Sequence, residues 1–205
     1  MTIVGRGSFC GRAASSCRER ISDECAAMRQ AFIAMIATAV LVVPSIALAS
    51  PSRVEPGETV LLASPTKFEG CRLSPNPDRR CSTGAYYEKL TKRVICSSAF
   101  HTADYRNVPV SKKHAVEAAY GLAPKAYGST LEIDHIVSLE LGGSNDIANL
   151  FPEQAAPGPG YHVKDRLENK VHRLVCTGAM TLSSARHQIA TNWQKLYEKV
   201  YGVAP

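Results

Sequence analysis

The chain has 205 residues, enough for one domain with extras and too few for two full domains. Its content of 45% hydrophobic and 20% charged residues is ordinary for a globular protein and excludes a disordered chain. The formal net charge of +6 is compatible with a nucleic-acid partner but does not require one.

The first element in chain order lies near the N-terminus. From Met28 the sequence reads MRQAFIAMIATAVLVVPSIALAS. Arg29 supplies a short positive start, Ala31 to Val43 is an apolar run, and Ala47-Leu48-Ala49 follows Pro44. That layout predicts a secretory signal peptide over residues 28–49, cleaved after Ala49. The competing reading is an uncleaved anchor, since Ala31 to Ala49 is nearly long enough to span a bilayer. Pro44 and the small residues at 47 and 49 favour cleavage, so no stable membrane association is expected. Residues 1–27 have no clear periodicity and carry three scattered cysteines. They read as an upstream, non-native extension with translation starting at Met28, or else as a long leading region. The expected location is periplasmic or secreted. Beyond residue 49 the chain keeps 19 Lys+Arg against 15 Asp+Glu, a net charge of +4.

Four cysteines remain after that point: Cys71, Cys81, Cys96 and Cys176. An even number in an exported chain predicts two disulfides. Of the three pairings, Cys71–Cys81 with Cys96–Cys176 is favoured. The first closes a short loop, and the second ties the early segment to the late helices. Zinc is the competitor, but no C-x-x-C spacing supports it.

Residues 50–100 form a cysteine-containing, irregular lead-in. Its first part, to residue 84, is rich in Pro, Ser, Gly and Arg and is expected to be stapled rather than packed. Residues 85–96 fit a short helix or strand. A domain over residues 101–205 follows. SKKHAVEAAYG (111–121) predicts a helix with Gly121 as its stop. LEIDHIVSLEL predicts a strand with Leu131, Ile133, His135 and Val137 on one side. Residues 142–146, Gly-Gly-Ser-Asn-Asp, predict a turn. NLF predicts a second short strand, ended by Pro152. Val163, Leu167, Val171, Leu174 and Val175 then make one helical face. Leu182, Ala185, Ile189, Trp193, Leu196 and Val200 make another, with Thr181 as N-cap. Trp193 is expected to anchor the core.

The chemistry concentrates at Asp134-His135. Asp134 is a hard oxygen ligand suited to a divalent cation. His135 is the side chain best poised to accept a proton near neutral pH. Neighbours in a regular strand point to opposite faces. For both to serve one site, the strand must end or twist at this dipeptide.

DHIVSLELGGSNDIANL, followed by a helix, resembles the His-Asn-His (HNH) nucleases, in particular small exported bacterial members. The likeness continues through FPE, KDRLEN, VCTG and LSSARHQIATNW and covers roughly residues 90–200. It implies an α+β fold: a ββα-metal core with additional packed helices, here stapled by disulfides, in an HNH nuclease-like domain. It implies a metal-dependent endonuclease that hydrolyses phosphodiester bonds. DNA ranks ahead of RNA as substrate, and the small size leaves little room for a reading domain, so low sequence specificity is expected. His135 would be the general base and Asp134 would hold the metal. Asn149 would brace the loop behind the histidine or join the metal site. The cation would be Mg²⁺ first, with Mn²⁺, Zn²⁺ or Ni²⁺ as alternatives. The family takes its last ligand from the first turns of the helix. His162, Asp165, Glu168 and Asn169 all lie there, with His162 the first candidate and Asp165 the second. Lys164 and Arg166 are candidates to contact phosphate. The alternative function is a catalytically inactive, exported binding module of the same fold.

Overall fold

The computed structural model describes residues 53–205. The expected extension and signal segment, residues 1–27 and 28–49, lie outside the described residues. The elements run β1 (Thr59–Leu61), β2 (Ala85–Tyr87), α1 (Lys92–Ile95), α2 (Val110–Ala119), β3 (Leu131–His135), β4 (Leu150–Gln154), α3 (Tyr161–Thr177) and α4 (Leu182–Tyr201). Short 3-10 turns lie at Thr102–Tyr105, Leu139–Leu141 and Ile147–Asn149. The class is α+β, with two small antiparallel sheets, β1–β2 and β3–β4. Among the described residues no helix is long and apolar enough to cross a membrane.

β3 ends at His135, which is what the Asp134-His135 dipeptide requires. It pairs with β4 so that Asp134 faces Phe151 and Glu132 faces Glu153. Opposed residues share a face, so Glu132, Asp134, Phe151 and Glu153 lie together on one side of the ribbon. Pro152 does not end the second strand as its sequence suggested. It sits inside β4 opposite Ile133. The ribbon has two strands and therefore only free outer edges, where a residue without an N–H costs no ladder bond.

α3 carries Leu167, Val171 and Val175 fully buried, one per turn. α4 is capped by Thr181, whose hydroxyl accepts from Ser184 N at 3.1 Å. The periodicity predicts one unbroken helix there. Instead Asn192 is extended (φ −166°, ψ 95°), and its side chain accepts from Lys195 N at 2.9 Å, recapping the second half. Trp193, fully buried directly after this break, donates its indole N–H to Pro75 O at 2.7 Å.

The lead-in is packed as well as stapled. Ala85, Leu90 and Ile95 are buried, and Cys71 and Cys81 join the same core as Phe151, Leu167 and Trp193. Both expected disulfides form. Cys71–Cys81 closes 10 residues and Cys96–Cys176 closes 80, tying the end of α1 to the end of α3. Two disulfides fit an oxidising, non-cytoplasmic compartment.

Gly142-Gly143 is a packing requirement as much as a turn. A Cβ at Gly143 would lie 1.8 Å from Val137 O. Gly142 has φ +78°, and a Cβ there would meet the Arg186 guanidinium at 2.7 Å. Arg186 is itself buried, donating to Leu141 O at 2.8 Å and Leu90 O at 2.7 Å, with Tyr86 beneath it at 3.9 Å.

Loop-closure entropy ranks the two disulfides. Replacing Cys96 and Cys176 together by alanine is expected to cost about 4 kcal/mol, and replacing Cys71 and Cys81 about 3 kcal/mol. Urea unfolding of the two double variants measures both.

Candidate functional site

The polar face of the β3–β4 ribbon meets the first turns of α3 around one buried cation. Lys164 is 1% exposed. Its ammonium donates to Asp134 Oδ2, to Glu168 Oε1, and to His135 O at 2.9 Å, with Glu153 Oε2 at 3.7 Å. Lys164 was a candidate phosphate contact. Its three donors are instead spent inside the protein, behind Asp134, so in this conformation it does not reach a phosphate in solvent.

Three carboxylates share that one ammonium, and they titrate differently. Burial pushes Asp134 up, but the Lys164 charge outweighs it and brings the carboxyl down to about 2. Glu168 is pushed up by burial, against the pull of Lys164, to about 8. Glu153 is fully buried, and neither of its oxygens has a hydrogen-bond partner. Burial drives its carboxyl well above the usual range. The cluster therefore favours Asp134 as the carboxylate ionised against Lys164, with burial pushing Glu153 and Glu168 toward their neutral forms. Pushing two of the carboxyls toward neutrality is how a low-dielectric site tolerates four ionisable groups.

Asp134 and His135 leave the strand end into the same cleft, of about 310 Å³. Glu132, Glu140, Asp165, Glu168 and Asn169 line it too, with Arg106 from the segment before α2. A second groove of about 300 Å³ shares Arg106, Glu132, Asp134 and His135 and adds Lys113 and Tyr127. Burial and the negative charge of neighbouring carboxylates, Asp134 foremost, push both Glu132 and Asp165 up. His135 is also buried, and burial, against the pull of Asp134, lowers its imidazole below the ordinary value. It is neutral at neutral pH and able to accept a proton.

Of the helix candidates, Asp165 faces this cleft and His162 does not line it; His162 is exposed, its ring 4.3 Å from that of Tyr161. The reversal follows from where α3 starts. Its first residue, Tyr161, is buried and donates its hydroxyl to Ser129 O at 2.8 Å, which turns the next residue outward. Arg166 is exposed and outside the cleft lining. Arg106, which sequence reasoning passed over, is the cation flanking both grooves.

Asn149 is the loop brace. It is fully buried with its amide saturated. Oδ1 accepts from Ala85 N at 3.0 Å and Val137 N at 2.8 Å, and Nδ2 donates to Val137 O at 3.1 Å and Ser144 O at 2.9 Å. With both ends used, it has no lone pair directed at the cleft. The signal for it was in the sequence. Asn145, in the same loop and not singled out there, contacts the histidine directly: its Oδ1 lies 2.8 Å from His135 Nε2.

The metal expectation divides. Among the described residues, the three ligand-type side chains with donor atoms within 4.8 Å of one another are Cys96, His172 and Cys176. This is a possible metal group, but its sulfurs are bonded to each other. A thiolate ligand requires the reduced form, so metal and disulfide exclude one another here. Asp134, His135, His162 and Asp165 do not gather that tightly. No protein-family model, curated protein or solved structure matches this chain.

Lys164→Met leaves the buried Asp134 carboxylate without its cation and is expected to cost about 3–5 kcal/mol in urea unfolding. The pairing also sets an acid limit. Because the folded-state pKa of Asp134 is depressed, its contribution is present above about pH 4 and lost as pH falls through about 2. Acid unfolding of the Lys164→Met variant should lack that component.

Proposed function

We propose that the protein is an exported, metal-dependent nuclease of the HNH type that hydrolyses phosphodiester bonds, with DNA as the first substrate. The observation that carries this reading is the end of β3 at His135, which opens Asp134 and a neutral His135 onto one cleft beside α3. The order strand, loop, strand, helix over β3, β4 and α3 is the order the sequence resemblance implies.

The donor set suits a hard divalent cation. Asp134 and Asp165 offer carboxylate oxygens in the cleft, next to the amide of Asn169. Asp134 and Asp165 would hold Mg²⁺ or Mn²⁺, and the ion would stabilise charge on the phosphate oxygens. The chain's own residues do the rest. His135 takes a proton from water. Asn149 holds the loop behind it. Arg106 supplies the phosphate-facing charge in place of Lys164, at the junction of the two grooves. Two disulfides and the signal-like segment support a periplasmic or secreted location.

One observation favours the second reading, an inactive binding module of the same build. Asp134 is already paired with Lys164, and its neighbours stand too far apart to be a formed metal group. Plasmid DNA and a structured RNA, each incubated with Mg²⁺ or Mn²⁺ and with chelator, separate the two. The nuclease reading expects chelator-sensitive cleavage that His135→Ala abolishes while thermal unfolding stays near wild type. Equal cleavage by the variant, or no cleavage by the wild type under any of these conditions, would remove it.

A further inference from the structure

His135 is held from two sides. Its carbonyl accepts from Lys164 Nζ at 2.9 Å, which fixes the backbone. Its ring is fixed by Asn145, and there the geometry decides more than position.

The Asn145 amide has one possible orientation. Its Nδ2 lies 2.8 Å from Tyr105 O and 3.1 Å from Asn107 O. Both of those are carbonyls, which only accept, so the NH₂ group must face them. Its backbone is held as well. Asn145 N donates to Tyr87 Oη at 3.2 Å, and Asn145 O accepts from Lys112 Nζ at 2.7 Å. The amide oxygen is thereby turned to His135 Nε2 at 2.8 Å. An amide oxygen has no proton to give, so Nε2 must carry the hydrogen. In a neutral imidazole the lone pair then sits on Nδ1. Nδ1 makes no hydrogen bond to the described residues, and it is not among the enclosed, unpartnered atoms. It is open toward the grooves that His135 lines.

We propose that Asn145 is the positioning residue of the site: it locks His135 in the Nε2–H tautomer and so makes Nδ1 the nitrogen that takes the proton from water. The catalytic consequence rests on the reading of His135 as general base; the tautomer assignment does not. Proton transfer balances simply. Water loses a proton to Nδ1, the Nε2–H bond to Asn145 stays intact, and the hydroxide oxygen bonds to phosphorus as the P–O bond to the leaving oxygen breaks. That oxygen takes a proton from solvent water, and Nδ1 returns its proton to solvent.

The test uses full-length protein with ¹⁵N-labelled histidine, at a pH where the imidazole is neutral. The ring nitrogen spectrum of the wild type is expected to show His135 with protonated Nε2 and unprotonated Nδ1. Asn145→Ala should give a mixture of tautomers. It should lower kcat for plasmid cleavage by at least about tenfold with KM little changed, since Asn145 itself touches no substrate. Asn145→Asp keeps an acceptor for Nε2–H and should retain the tautomer. Its second oxygen cannot replace the amide's donation to Tyr105 O and Asn107 O, so thermal unfolding checks that each variant is folded. A wild-type His135 with the proton on Nδ1, or a folded Asn145→Ala protein with unchanged tautomer and kcat, overturns the proposal. The expected tautomer change without cleavage by any of the proteins supports the Asn145 assignment and overturns the nuclease reading instead.

Discussion

An ammonium group removed from water must be neutralised where it sits, and around Lys164 that need organises the centre of the molecule. The β3–β4 ribbon presents Asp134 and Glu153 on one face, and α3 brings Glu168 one turn beyond the lysine. The same ammonium holds the carbonyl of His135. A single charge thus joins strand, strand and helix at the point where the candidate chemistry lies. Removing it would strand carboxyl groups in a low-dielectric interior, which is why a buried pair costs more to break than it contributes when intact.

The loop between the two strands is built to the same end by other means. Gly142-Gly143 lets the chain pass within van der Waals contact of Val137 and Arg186. Asn149 then stitches the loop shut with four hydrogen bonds, reaching back to β2 through Ala85 N. Asn145 extends the stitching outward to the backbone of residues 105 and 107. The lead-in therefore is part of the site. It supplies Ala85 N to Asn149 and the Tyr87 hydroxyl to Asn145 N, while the segment before α2 supplies the carbonyls that orient Asn145 and the guanidinium of Arg106.

Much of this was legible before any coordinates. The period-two run through Asp134-His135, the helical faces of α3 and α4, the Thr181 cap and the favoured disulfide pairing follow from local pattern, spacing and composition. Asp134 and His135 stood out for their ligand and proton-accepting chemistry, and Asn149 for the resemblance of DHIVSLELGGSNDIANL to the HNH nucleases. Several readings shifted, those of Lys164 and of the packed lead-in among them. Pro152 proved compatible with a strand because a two-stranded ribbon has free edges. The helix over 182–201 breaks at Asn192, where a side-chain cap competes with the helical backbone. His162 gave way to Asp165 in the cleft because Tyr161, buried at the helix start, sets the rotation of the first turn.

The sequence by itself carried the periodicities of α3 and α4, the main strand through Asp134-His135, a preference for the observed cysteine pairing, and where the titratable residues would concentrate. Those are consequences of periodicity and of short-range spacing, which a linear chain carries on its face. Only the tertiary structure decided that Lys164 turns inward while Arg106 stays in the groove, that burial pushes Glu153 and Glu168 toward their protonated forms, and that Asn145 chooses the nitrogen of His135. Each of those depends on burial and on partners tens of residues away. A lysine on a helix reads the same in sequence whether its ammonium meets water or three carboxyl groups.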